Sequence, residues 1–105
     1  MIKDEEFLQL RMSYVEIEKM VQKYGFGQYS GILRILRGQV NCIDSDESAD
    51  DKLKYLVESY SKLFILRGGL SDFVIYDTDV RLRCQLNEKY NDEVKKNWNI
   101  MKDYI

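Results

Sequence analysis

Apolar side chains at Phe7, Leu10, Tyr14, Ile17, Val21 and Tyr24 recur at intervals of 3, 4, 3, 4 and 3 residues. Only an α-helix, at 3.6 residues per turn, brings such a series onto one face. Leu8, Met12, Val15 and Met20 widen the stripe onto neighbouring faces. The run ends before three heptads are complete, which suits a globular core better than a coiled coil. The 105 residues contain no proline, so no helix is forced to break for want of an N–H.

The rest of the chain divides at its glycines. Gly25 and Gly27 end the first helix, with Gly25 expected in the left-handed position that follows a helix. A second helix fits residues 28–38, with Tyr29, Ile32, Leu33, Leu36 and Val40 on one face and Arg34 and Arg37 outside. Gly38 is expected to close it, leaving Gln39 to Ser48 as a polar connector. Ser48-Ala49-Asp50-Asp51 has the form of a capping box. The helix behind it places Leu53, Leu56, Val57, Tyr60, Leu63 and Phe64 on one face, with Arg67 in its last turn and Gly68-Gly69 as its stop. Residues 70–76 are apolar, β-branched and aromatic, and read as a short strand or, since one strand makes no sheet alone, as an extended segment packed on the core. Asp77-Thr78-Asp79 offers cap chemistry for a short helix to about Leu86. Asn87, with Asn91 competing, is expected to cap a last helix carrying Tyr90, Val94, Trp98, Met101 and Ile105. The expected fold is all-α: a compact bundle of four or five helices with one short extended apolar segment, a single domain over residues 1–105.

Hydrophobic residues make up 45% and charged residues 32%, the balance of a folded globular chain. No stretch approaches the roughly 18 apolar residues of a membrane span. The acidic start Met1-Ile2-Lys3-Asp4-Glu5-Glu6 lacks the basic and apolar regions of a signal peptide, so a cytoplasmic protein without membrane association is expected. Cys42 and Cys84 suit reduced, half-buried thiols. A Cys42–Cys84 bridge or a redox role stays open.

The net charge of −2 is unevenly spread. Residues 41–58 carry two Lys/Arg against six Asp/Glu, whereas the segments on either side each carry one net positive charge. That distribution disfavours nucleic acid and favours a basic protein partner. The residues expected to meet such a partner are Asp44, Asp46, Glu47, Asp50 and Asp51. Tyr55 joins them because tyrosine adds contact area and keeps a polar tip.

Other chemistries fit poorly. Without histidine, no His-based triad, general base or His-containing metal site can form. A calcium loop starting at Asp44 has Ala49 where glycine must turn and Tyr55 where a bidentate Glu must ligate. One starting at Asp77 has Leu82 at the turn position. Gly25-Phe26-Gly27-Gln28-Tyr29-Ser30-Gly31 follows a helix, whereas a dinucleotide-binding loop must follow a strand. Asp72, Asp77 and Asp79 are close in sequence, but turn and cap roles account for them better than acid/base work. No catalytic residue, metal or cofactor is expected.

Residues 53–105 resemble a group of small bacterial proteins. Their layout is a helix, a Gly-Gly turn leading to an acid and an aromatic, and an Asn before a closing helix. The matching residues are Arg67-Gly68-Gly69-Leu70-Ser71-Asp72-Phe73, Asn87 and the helix through Trp98. Proteins of this kind look like immunity proteins, which block one toxin through an acidic surface. The resemblance implies a protein-binding inhibitor and no catalytic residues. A self-associating structural or regulatory subunit is the alternative, motivated by apolar residues on more than one face of the first helix.

Overall fold

The computed structural model describes residues 2–64, 69–70 and 73–105. Within them the chain forms four helices: α1 (Asp4–Tyr24), α2 (Ser30–Asp44), α3 (Ala49–Leu63) and α4 (Val80–Met101). No β-strand occurs among the described residues, so the fold is an all-α bundle.

The first helix follows its sequence pattern. Phe7, Leu10, Tyr14, Ile17 and Val21 are all buried, while Leu8 and Met12 remain 57% and 60% exposed. Glu6 reaches back to accept from the Lys3 backbone N–H at 3.1 Å, satisfying one of the free donors at the helix start. The chain leaves α1 through Gly25, whose φ of −87° is right-handed. The left-handed residues are instead Phe26 (φ 51°) and Gly27 (φ 78°), so the turn reverses one residue later than expected. Gly25 is still needed, because a Cβ there would collide with the Val21 carbonyl oxygen.

Two helices outrun their expected ends. Gly38 lies inside α2, which continues to Asp44. Val40 and Ile43 pack on the core and Gln39 and Cys42 are buried, so burial offsets the roughly 1 kcal/mol that a mid-helix glycine costs. The polar connector therefore shrinks from Gln39–Ser48 to the four residues from Ser45 to Ser48. α4 is likewise one continuous helix through Leu86 and Asn87, not two. α3 starts as the sequence implies, with the Ser48 hydroxyl accepting from the Asp51 N–H at 3.2 Å, and it ends at Leu63. Arg67 and Gly68, expected at its end, lie outside the described residues, as do Ser71 and Asp72.

α1 packs between α2 and α4, and α2 packs between α1 and α3. Contacts fix the directions. Arg11 on α1 meets Asp44 at the end of α2, and Arg37 on α2 meets Glu18 further along α1. Gln39 on α2 donates to Ser59 on α3, and Ser13 on α1 donates to the Glu93 carbonyl on α4. Successive helices alternate, so α1 and α3 begin at the same end of a molecule 45 Å long and about half as wide.

The extended segment is held by α4. The Asn87 side chain accepts from the Ile75 N–H at 2.9 Å and donates to the Ile75 carbonyl at 2.8 Å. It plays the part of a neighbouring strand. The Tyr90 hydroxyl donates to the Leu70 carbonyl at 3.0 Å. Phe73 and Ile75 face inward and are buried, whereas Val74 and Tyr76 are 68% and 62% exposed, the two-residue alternation of a strand.

Candidate functional site: an acidic end

The short loop between α2 and α3 is fastened from within. The Ser45 hydroxyl donates to the Cys42 carbonyl at 2.6 Å and accepts from the Glu47 N–H at 3.4 Å. Lys52 reaches back to donate to the Ile43 carbonyl at 2.9 Å, a favourable place for a cation because the carbonyl end of a helix is negative. Its ammonium also lies 5.8 Å from the centre of the Phe7 ring, which ties the start of α3 to the start of α1. Arg11 grips Asp44 through Nε and Nη2 at 2.7 and 3.1 Å. Two nearby cations are thus engaged at the end of α2.

This arrangement divides the six residues expected to meet a partner. Asp44 is paired with Arg11, whose hydrogen bond holds its carboxyl below the usual range. It is removed from any free acidic face. Asp46, Glu47, Asp50 and Asp51 are exposed, and among the described residues none of them forms an ion pair. Tyr55 follows Asp51 by one helical turn and is 41% exposed, with its hydroxyl lying over Gly38 of α2.

Three acids join them that charge counting along the chain had separated. Asp4, Glu5 and Glu6 occupy the first turn of α1, as Asp50 and Asp51 occupy that of α3. Because α1 and α3 run parallel, both acidic turns lie at one end. The signal was available in the sequence: helices separated by one antiparallel neighbour start on the same side. Glu6 is held by the Lys3 N–H and by the Tyr104 hydroxyl at 2.9 Å, whereas Asp4 and Glu5 are exposed. Among the described residues no three carboxylates or thiols come close enough together to hold a metal ion. The acids form a spread surface rather than a cage.

Asp77 and Asp79 are occupied by the backbone. Asp77 accepts from the Asp79 N–H at 2.8 Å, and Asp79 accepts from the Leu82 N–H at 3.2 Å, the turn and cap roles expected of them. Asp72 lies outside the described residues. Cys42 is buried on α2 and Cys84 is exposed on α4, both unpaired, where two half-buried thiols had been expected. Burial pushes the Cys42 thiol up. An open groove of about 460 Å³ runs between α1 and α4, lined in part by Met12, Ser13, Glu16, Glu93 and Ile100. Its carboxylates face lysines: Glu16 meets Lys19 and Lys89, and Glu93 meets Lys96. Among the described residues no helix is long and apolar enough to cross a membrane.

Comparison of the chain with protein-family models, with curated proteins and with solved structures gives no match.

Proposed function

We propose that this protein acts by binding another protein through its acidic end, in the manner of an inhibitor or immunity protein that covers a basic partner. The observation that carries the reading is the convergence of two separate acidic segments, Asp4–Glu5 and Asp46–Asp51, on one end of the bundle, where Arg11 is paired with Asp44 and Lys52 with the Ile43 carbonyl, leaving the acids in excess over the exposed Lys3 and Lys102. Exposed charge of one sign raises the rate at which an oppositely charged surface is found, and the effect weakens as salt screens it. Tyr55 would add contact area at the edge of that surface. The reading is of a binding protein and assigns no catalytic group.

The test is a charge reversal, with native helical circular dichroism required of the reversed form because Asp50 and Asp51 lie in the first turn of α3. Asp46, Glu47, Asp50 and Asp51 are changed to Lys, and Asp44 is kept because it holds Arg11. Native and reversed proteins are used as bait in the source lysate, and the association rate of any retained protein is measured from low to high salt. A basic protein held by the native form and released by the reversed form, with a rate that falls as salt rises, is the expected result. Equal retention by both forms, or a rate indifferent to salt, would falsify the acidic-end reading.

A further inference from the structure

The end opposite the acids exposes several apolar side chains among its charged ones, with Arg83 of α4 lying 5.7 Å from the centre of the Tyr76 ring. It is built from the turn between α1 and α2 and from the segment leading into α4, joined by an edge-on contact of the Tyr29 and Phe73 rings at 5.2 Å. Phe26, Val74, Tyr76, Val80 and Leu82 lie there with 39% to 74% of their surface exposed. A concentration of exposed apolar side chains at one place marks an interaction surface more often than chance.

Within that surface lies an extended segment with one main-chain edge unpaired. One side-chain amide can bond both the N–H and the C=O of Ile75 only because the two groups point the same way, as they do in extended backbone. Along a strand these directions alternate from residue to residue. The N–H and C=O groups of Val74 and Tyr76 therefore point away from α4. Among the described residues no protein group hydrogen-bonds any of them. A row of free main-chain donors and acceptors beside exposed apolar side chains is a template for another strand.

We propose that the occupant is a second copy of this chain, paired antiparallel through the same edge about a two-fold axis at Ile75. In that register Val74 faces Tyr76 of the second copy, and Tyr76 faces its Val74. These are the two hydrogen-bonded pairs, and each exchanges two main-chain bonds. The two Ile75 residues face each other as the non-bonded pair, which agrees with their own groups being held by Asn87. A β-branched residue opposite an aromatic is a favourable cross-strand pair, and the register supplies it twice. No like charges are set opposite one another, since Asp77 faces Phe73 of the second copy. The edge is thus complementary to itself, as a two-fold interface requires.

The size of the surface sets the strength. A fully covered aromatic removes about 150–250 Å² and an aliphatic side chain about half of that. At the exposures above, the five side chains on both copies offer at most about 650–1,100 Å², at or below the lower bound of a specific interface. The dimer therefore forms and dissociates with protein concentration. It uses the end opposite the acids and is independent of the inhibitor reading, so either can fail alone.

Sedimentation of the native protein from about 10 μM to about 1 mM tests it. The weight-average mass should rise from 12.5 kDa toward twice that value. Val74→Pro removes one donor at a φ that extended backbone accepts. Val74→Asp with Tyr76→Asp sets acids against each other across the pair. Both variants should stay monomeric with native helical circular dichroism. Hydrogen exchange on the unaltered protein gives a readout that needs no variant to fold. The Val74 and Tyr76 amides should slow about tenfold with concentration, while the Ile75 amide is slow throughout. A native protein that stays at 12.5 kDa, or a dimer in which the Val74 and Tyr76 amides remain fast, overturns the proposal and leaves the edge to a foreign strand.

Discussion

Replacing Asn87 with Ala should unlatch the extended segment. The side chain makes three hydrogen bonds: to the N–H and C=O of Ile75 and to the Arg83 carbonyl. The Arg83 carbonyl also faces the N–H four residues on, as any carbonyl in mid-helix does, so its loss counts for little. The two Ile75 bonds have no substitute on the protein. A hydrogen bond contributes about 0.5–1.5 kcal/mol net, and an orphaned partly buried group costs somewhat more, so the change should destabilise by about 2–3 kcal/mol. The segment cannot swing free without cost, because Ile75, Phe73 and Leu70 belong to the core. Loss of the latch should therefore appear as global destabilisation in urea, equivalent to a fall of about 10–20 °C in Tm for a chain of this length. Asn87→Asp sharpens the test. The carboxylate still accepts from the Ile75 N–H but faces two carbonyl oxygens, whereas a protonated carboxyl can donate to one of them. Folding then favours the neutral form and raises the carboxyl pKa. The stabilising contribution is present below the unfolded value of about 3.9 and lost as pH rises through the folded value. Asp should thus resemble Ala at neutral pH and partly recover in acid. An Ala variant within about 0.5 kcal/mol of the native protein, with exchange of the Ile75 amide unchanged, would refute the reasoning.

Two further expectations concern tyrosines. Burial holds the phenols of Tyr14 and Tyr90 well above their ordinary value, so their contribution to stability is present below about pH 10 and lost as pH rises further. In an alkaline titration followed by phenolate absorbance, these two should ionise only together with unfolding, and Tyr14→Phe should move the unfolding to higher pH; ionisation of all eight tyrosines before any loss of helix contradicts this. At Gly38, a Cβ would lie 2.6 Å from the Tyr55 hydroxyl oxygen but 3.8 Å from the ring carbon bearing it. Gly38→Ala should therefore gain about 1 kcal/mol of helix propensity in a Tyr55→Phe background and distinctly less in the native one; equal gains in urea titrations of the two backgrounds would show that the hydroxyl is not what keeps the glycine.

Much of this fold is written in hydrophobic spacing. The intervals from Phe7 to Val21, the Ser48 cap and the extended segment after residue 72 each follow from a local rule, and each is present in the structure. The misplaced boundaries share one cause. Gly38 and Asn87 carry local signals for ending and starting helices, but tertiary contacts outweigh them: Tyr55 fills the space over Gly38, and Asn87 turns its amide toward Ile75. Neither partner is within ten residues of the position it explains, so no local reading could find it. The acidic end was half legible. The run from Asp44 to Asp51 stands out in the sequence, yet the removal of Asp44 by Arg11 depends on a contact 33 residues away. The addition of Asp4 and Glu5 depends on helix direction, which short loops imply but charge counting ignores.

Each helix also buries one polar side chain: Ser13 on α1, Gln39 on α2, Ser59 on α3 and Asn97 on α4. They meet in pairs, Ser13 with Asn97 and Gln39 with Ser59. The pairing is incomplete, since among the described residues Gln39 Oε1, Asn97 Oδ1 and the neighbouring Tyr14 hydroxyl have no aligned hydrogen bond. A core of leucine and isoleucine alone is indifferent to small errors of alignment. Here a helix that slid by one turn, about 5.4 Å, would carry an amide into hydrocarbon and orphan its partner, at about 1–3 kcal/mol for each group. The same groups that make the native state shallower make its near neighbours shallower still, and a chain of 105 residues is left with few ways of being compact and wrong.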